Sequence, residues 1–319
     1  MVRGLAKQVY SMKAYSMKAK PLRLLTAVIT LLFGALISSP AHAADMKRML
    51  RFAPQDSQAI VGADIDRLRA WKHFGTLIDS AIRETGGQSA LRKAELALDI
   101  NIRKDVRGFV VAFGPTFAQD DDQFVIMMQA PVNEQSTVAF IKQEGAKVTR
   151  QQGLGGHFYD IDGDAGLAFR GDIVILGGAK TFRKAMTGGG GALPRLRSRV
   201  DSGELFVAAR VPTELQQKLA REMPELGDLK NVVASLSVNG GQRLVFDSTF
   251  DFSNAHSPRM LADEFNKQLR QLSGEQFIRD LGLAKFLSRP DIKAVGNELR
   301  IEMRLRGRDL DQIFKALRP

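Results

Sequence analysis

Leu299, Ile301, Met303 and Leu305 alternate with Arg300, Glu302, Arg304 and Arg306. That period of two predicts a strand with one buried and one wet face. Other runs are apolar at every position: Phe109–Phe113, Phe124–Met128 and Ile173–Leu176. Strands of this kind need cover on both faces. They read as central strands under helices, or as walls of an apolar groove for a lipid-like ligand, which Met127 and Met128 would line. A third pattern repeats at steps of three and four. Leu68, Trp71, Phe74, Ile78 and Ile82 fall on one helical face, and Gly86-Gly87 ends it. Helical stretches follow over Ser89–Leu98, from Asn133 to Glu144 with Gly145 as the stop, and over Thr181–Met186. Thr213 is placed to cap a helix with Leu215, Leu219, Met223 and Leu226 on one side. Ser257 with Pro258 opens another to Leu272. Further helices are predicted over Glu275–Leu287 and Asp309–Leu317.

Turn chemistry separates the strands. Arg170-Gly171-Asp172, Asn239-Gly240-Gly241 and Gly296-Asn297 are hairpin signals. Four consecutive glycines, Gly188–Gly191, precede the basic run Pro194-Arg195-Leu196-Arg197-Ser198-Arg199. Each glycine loses much backbone entropy on ordering, so the run reads as a joint. On either side the order of elements is similar, and Leu205–Val211 matches Ala59–Ile65 in register. The expected fold is α+β, with two related lobes, each a mostly antiparallel sheet carrying helices. The lobes are residues 44–187 and 201–319, and residues 188–200 are a Gly/Arg-rich linker. If the apolar strands of the first lobe need the second as cover, the glycines are instead a loop in one body.

The first 43 residues have a different character. Six basic residues lead into an apolar run of 14, Leu24–Ile37, and then Ser38-Ser39-Pro40-Ala41-His42-Ala43. This is the pattern of a secretory signal peptide, cut after Ala43. The run is shorter than the roughly 20 residues a membrane span needs. Of 46 basic residues, six fall in this segment and no acid does, so the remaining chain has 40 against 35 acids, a net charge of +5. A modest excess over the 276 residues from Ala44 to Pro319 fits a solvated surface better than a nucleic-acid partner.

Little recognisable chemistry survives inspection. The chain has no cysteine, which removes thiol catalysis, Cys-ligated zinc and iron–sulfur clusters. His73, His157 and His256 are far apart in sequence. Asp160-x-Asp162-Gly163-Asp164 starts like a calcium loop, but the sixth and twelfth positions hold Ala165 and Gly171. It reads as a turn, as does Asp120-Asp121-Asp122. Gly153-Leu154-Gly155-Gly156 misses the dinucleotide spacing. Arg195, Arg197 and Arg199 have no interleaved aromatics. No catalytic, cofactor-binding or metal residue is assigned, and no cofactor is expected.

The stretch from Leu50 to Arg69 carries a Pro-x-Asp-Ser turn, a Val-Gly-x-Asp strand and an Arg-Leu-Arg helix start. With the hairpin from Phe169 to Gly178, it resembles exported bacterial (myxobacterial-type) proteins of unknown function. The resemblance implies an envelope protein and carries over no functional residue. The expected function is that of an exported, periplasmic or secreted, non-enzymatic binding or interaction protein of the cell envelope. Its partner is an envelope protein or a lipid-like ligand and not a nucleic acid. The alternative is a periplasmic carrier of an apolar or lipid-like ligand held between the lobes, and a hydrolase would need Asp or Glu gathered with His157 or His256.

Overall fold

The computed structural model describes residues 44–72, 74–75, 92, 95–117, 120, 122–153, 156–187, 203–239, 243–280, 282, 284–307 and 309. The expected signal peptide, the glycine run with its linker, and most of the helices expected over 68–82, 89–98 and 309–317 lie outside these residues. Among the described residues no helix is long and apolar enough to cross a membrane.

The first half supplies seven strands: β1 (Ala59–Asp64), β2 (Gly108–Phe113), β3 (Phe124–Gln129), β4 (Val148–Gly153), β5 (Gly156–Ile161), β6 (Ala165–Arg170) and β7 (Ile173–Gly178). The second supplies β8 (Leu205–Arg210), β9 (Leu229–Asn239), β10 (Arg243–Phe252), β11 (Asp291–Val295) and β12 (Glu298–Arg306). Together they form one 12-stranded sheet in the order β11-β12-β10-β9-β8-β1-β2-β3-β7-β6-β5-β4. Each half is a contiguous block of that sheet, and neighbouring strands are antiparallel. The expectation of an antiparallel sheet with helices holds. The blocks meet where β1 pairs β8, with Ala59 opposite Ala209 and Val61 opposite Val207.

The doubly apolar strands are central, as expected. One face of β2, β3 and β7 presents Val110, Ala112, Val125, Met127, Ile173 and Ile175 to a cluster with Met49, Leu50 and Phe182. These come from α1 (Met46–Leu50) and α5 (Ala179–Met186). The other face presents Phe109, Val111, Phe124 and Ile126 to Ile65, Leu68, Trp71 and Ile102. Met127 is therefore fully enclosed, and it lines no groove. At the far end of the second half, Leu299 and Ile292 pack under Leu261 and Ala262 of α7 (His256–Gly274), with Leu219 and Met223 beside them.

Helix boundaries differ from the expectation in four places. Leu68, Trp71 and Phe74 do share one buried cluster. However, α2 (Ile65–Arg69) ends before Trp71, because Arg69 turns back to hold backbone carbonyls at residues 103 and 106. α6 (Thr213–Glu222) takes Pro212 as its N-cap, so Thr213 is its first residue and caps nothing, and Leu215 points to solvent. α7 begins at His256, and Asn254 Oδ1 accepts the N–H groups of His256 and Ser257 in place of a Ser257 cap. The helix expected over 275–287 is split into α8 (Gln276–Asp280) and α9 (Ala284–Leu287), with Gly282 at φ +67° between them. By contrast, Asn133 caps α4 (Glu134–Gln143) through Ser136 N–H at 3.0 Å, and Gly145 at φ +88° follows its end. A short α3 (Ile102–Asp105) is capped by Asn101.

The β6–β7 turn is tied to α1. Arg48 donates to Asp172 Oδ1 at 2.9 Å and to the Arg170 carbonyl at 2.7 Å, while Gln129 donates to Asp172 Oδ2 at 2.6 Å. Burial pushes the Asp172 carboxyl up, but the Gln129 and backbone hydrogen bonds with Arg48 and Arg107 outweigh it, and the net shift is downward. A carboxyl held below its unfolded value stabilises the fold above that value and loses the contribution as pH falls through the folded one. Urea midpoints are expected to drop below about pH 4. Asp172→Asn should flatten that limb, and an unchanged limb would remove Asp172 from the account.

Candidate functional site

Register places one row of side chains on the same face across the seam of the two halves: Val61, Val207, Ala234, Ser248 and Ile301. The next row runs Ala59, Ala209, Val232 and Phe250. Here the reverse face is closed by Ile60, Phe206, Ala208 and Val233. On the front, Val207 is 37% exposed although β8 lies at the middle of the sheet. Ala59, Val61, Ala209 and Ala234 beside it are half-buried.

This strip lies between two packed regions. On one side Leu205, Leu236 and Met303 lean into the cluster of Trp71 and Phe286. On the other, Val232, Phe250 and Ile301 lean into the cluster under α7. Between them the small side chains Ala59, Ala209 and Ala234 make a low apolar floor. Exposed Phe117, whose ring is 5.2 Å from that of Phe113, stands at the end of the sheet where Phe113 pairs Ala59. Ser248 is buried in the same row, and its hydroxyl has no hydrogen-bond partner.

A polar cluster sits towards the opposite edge. Glu134 Oε1 takes a hydrogen bond from the Tyr159 hydroxyl at 2.6 Å and lies 2.7 Å from His157 Nε2. Burial raises the Glu134 carboxyl, but the Tyr159 and His157 hydrogen bonds together bring it below its ordinary value. The Tyr159 hydroxyl is raised in turn, first by its bond to Glu134. A carboxylate on an imidazole is one part of a nucleophilic triad. Among the described residues no hydroxyl or thiol bonds to the His157 ring, and the contacts hold α4 against β5. His256 is far away, at the start of a helix that packs on β11 and β12. His73 lies outside the described residues.

The acidic turns are occupied with nearby backbone N–H groups and, at Asp160, with Arg183. Asp160 Oδ1 accepts Gly163 N–H at 2.8 Å, and Asp162 Oδ1 accepts Lys147 N–H at 2.8 Å. Asp162 and Gly163 both have positive φ, which suits this turn. Asp120 and Asp122 share a hydrogen bond that raises Asp122 and lowers Asp120. Among the described residues no group of three or more His, Asp or Glu is placed to hold a metal ion. Arg195, Arg197 and Arg199 lie outside the described residues. The apolar floor was not visible as a site from sequence, because an apolar strand position looks the same whether or not a helix covers it.

No protein-family model matches the chain, and no curated protein matches it. A solved structure, titled "Structure of crystal form I of TP0453", is similar at 11% identity over 84% of this chain and 96% of that chain. Its TM-score of 0.42 is too low for the likeness to carry an argument about fold or function.

Proposed function

We propose that the protein is an exported, non-enzymatic binding or interaction protein of the cell envelope, acting in the periplasm or outside the cell. Its contact surface is the apolar floor at the β1–β8 seam. The observation that carries this reading is Val207, over a third exposed at the middle of the sheet while the reverse face is closed. Apolar area left exposed in one place marks an interaction surface. The N-terminal basic, apolar and small-residue segments support export.

A second reading, a carrier of an apolar or lipid-like ligand, is favoured by the small residues of the floor between two bulky clusters. Native mass spectrometry of protein purified from its own envelope separates the two. A bound lipid supports the carrier, and a bound protein supports the interaction module. Val207→Asp is expected to abolish either association and to leave the melting temperature within about 2 °C, since an open site tolerates polarity. Retained association would sink the assignment of the floor.

The halves are also read as two copies of one unit. Laying Ala59–Ile65 on Leu205–Val211 equates Val61 with Val207, and these two residues face each other across the seam. Outward from the seam the orders β1-β2-β3-β7-β6 and β8-β9-β10-β12-β11 correspond, with β4 and β5 added in the first half. Under this reading residues 44–187 and 201–319 are the related lobes and residues 188–200 the linker.

A further inference from the structure

The start of the described chain is seated in a notch. A side-chain carbon on Gly108 would come within 2.5 Å of the Ala44 methyl and 2.9 Å of the Ala63 carbonyl oxygen. Only glycine leaves Ala44 its place. Gly108 pairs with Asp64 at the end of β1, and the Ala44 nitrogen donates a hydrogen bond to the Asp64 carboxylate. From there the chain is held by Asp45 N–H on Gln129 Oε1 at 2.8 Å, and by Met49 and Leu50 in the core.

Asp64 is an unusual acceptor. Its side chain is 5% exposed. It takes the Arg67 N–H at 3.1 Å, and the Arg67 guanidinium lies 3.4 Å away on a side chain that is 54% exposed. A pair with so open a partner is weakened by solvent. Asp66, itself paired with Arg69, adds a second negative charge nearby. A buried carboxylate in this position is costly unless a cation meets it.

We propose that Asp64 is the receiving site for an α-ammonium group, the one created when the leader is cut between Ala43 and Ala44. The proposal rests on the exported reading above. Hydrolysis by a leader peptidase breaks the Ala43–Ala44 C–N bond and places the water oxygen on the Ala43 carbonyl. It leaves the Ala44 nitrogen as an ammonium. With the Ala44 methyl seated at Gly108, opposite Asp64 in the β1–β2 pairing, processing places a full positive charge beside this carboxylate in place of an amide donor. The resulting ion pair fastens residues 44–53 to the sheet, and it forms only in the processed chain.

Two purified chains test it, one starting at Ala44 and one starting at His42. The Ala44 chain is expected to melt about 2–4 °C higher. The gap should vanish as pH rises through the amine pKa, which pairing lifts above its ordinary range of about 7.7–8.0. Asp64→Asn keeps a competent helix cap. It should lower the melting temperature of the Ala44 chain and leave that of the His42 chain unchanged or raised, because there only the exposed Arg67 guanidinium offsets the burial of the carboxylate. Titration of the Ala44 amine by nitrogen NMR gives the same answer without a variant. Equal melting of the two chains, with Asp64→Asn acting alike on both, would overturn the ion pair. Intact mass of the exported protein showing a first residue other than Ala44 would overturn the proposal through the leader reading instead.

Discussion

Asp66→Ala is expected to destabilise the protein by about 3–5 kcal/mol, the cost of stranding a buried cation. Arg69 and Asp66 are paired side by side at 3% and 4% exposure. Arg69 also donates to the carbonyls of Arg103 at 2.8 Å and Val106 at 2.7 Å. Burial pulls the Arg69 guanidinium below its ordinary value, and Asp66 pulls it back. Without the carboxylate, the guanidinium stays buried with backbone carbonyls and the weaker pull of Asp105. Replacing both residues, Asp66→Leu with Arg69→Met, should cost much less than either change alone, since no charge is then buried. Chemical denaturation of the three variants measures this. Additive losses would mean that the two side chains act independently.

Phe182→Ala carries the second large effect, about 3–5 kcal/mol. Phe182 is 1% exposed at the centre of the cluster between α5 and the sheet, with the Phe158 ring 5.6 Å away. It lies directly over Gly166, where any side-chain carbon would enter its ring. Gly166→Ala alone should therefore cost about 1–3 kcal/mol by overpacking. In the Phe182→Ala background the same methyl enters an empty space, and its cost should disappear or change sign. Equal costs in both backgrounds would show that the glycine is kept for its backbone and not for the ring.

Much of this fold is written locally. The full apolarity of Phe109–Phe113 and Phe124–Met128 foretells strands buried on both faces, and the alternation from Leu299 to Leu305 foretells β12. Asn133 and Gly145 bound α4 because cap and left-handed stop are decided within a few residues. What escapes is decided by distant contacts. The basic segment Met46–Leu50 hides α1, whose Met49 and Leu50 become helical by packing on strands over fifty residues away. α2 stops at Arg69 because of carbonyls on another element. Val207 and Val233 are both valines in strands, yet one is open and the other buried. Only the placement of the covering helices distinguishes them. The burial of Asp64 is equally invisible, since an aspartate at a strand end reads as a solvated cap.

The seam between β1 and β8 has a kinetic meaning. Its partners, such as Ala59 and Ala209, are separated by the whole first half of the protein. As the chain emerges from its N-terminus, β1 gains β2 early, but its other edge has no partner until residues 205–209 arrive. Pairings of such long sequence separation close slowly. Meanwhile an unpaired, apolar strand edge invites pairing with other chains. The seam at the middle of the finished sheet thus stays open until the first half is complete, and the chain depends on reaching its second half before its first can be sealed.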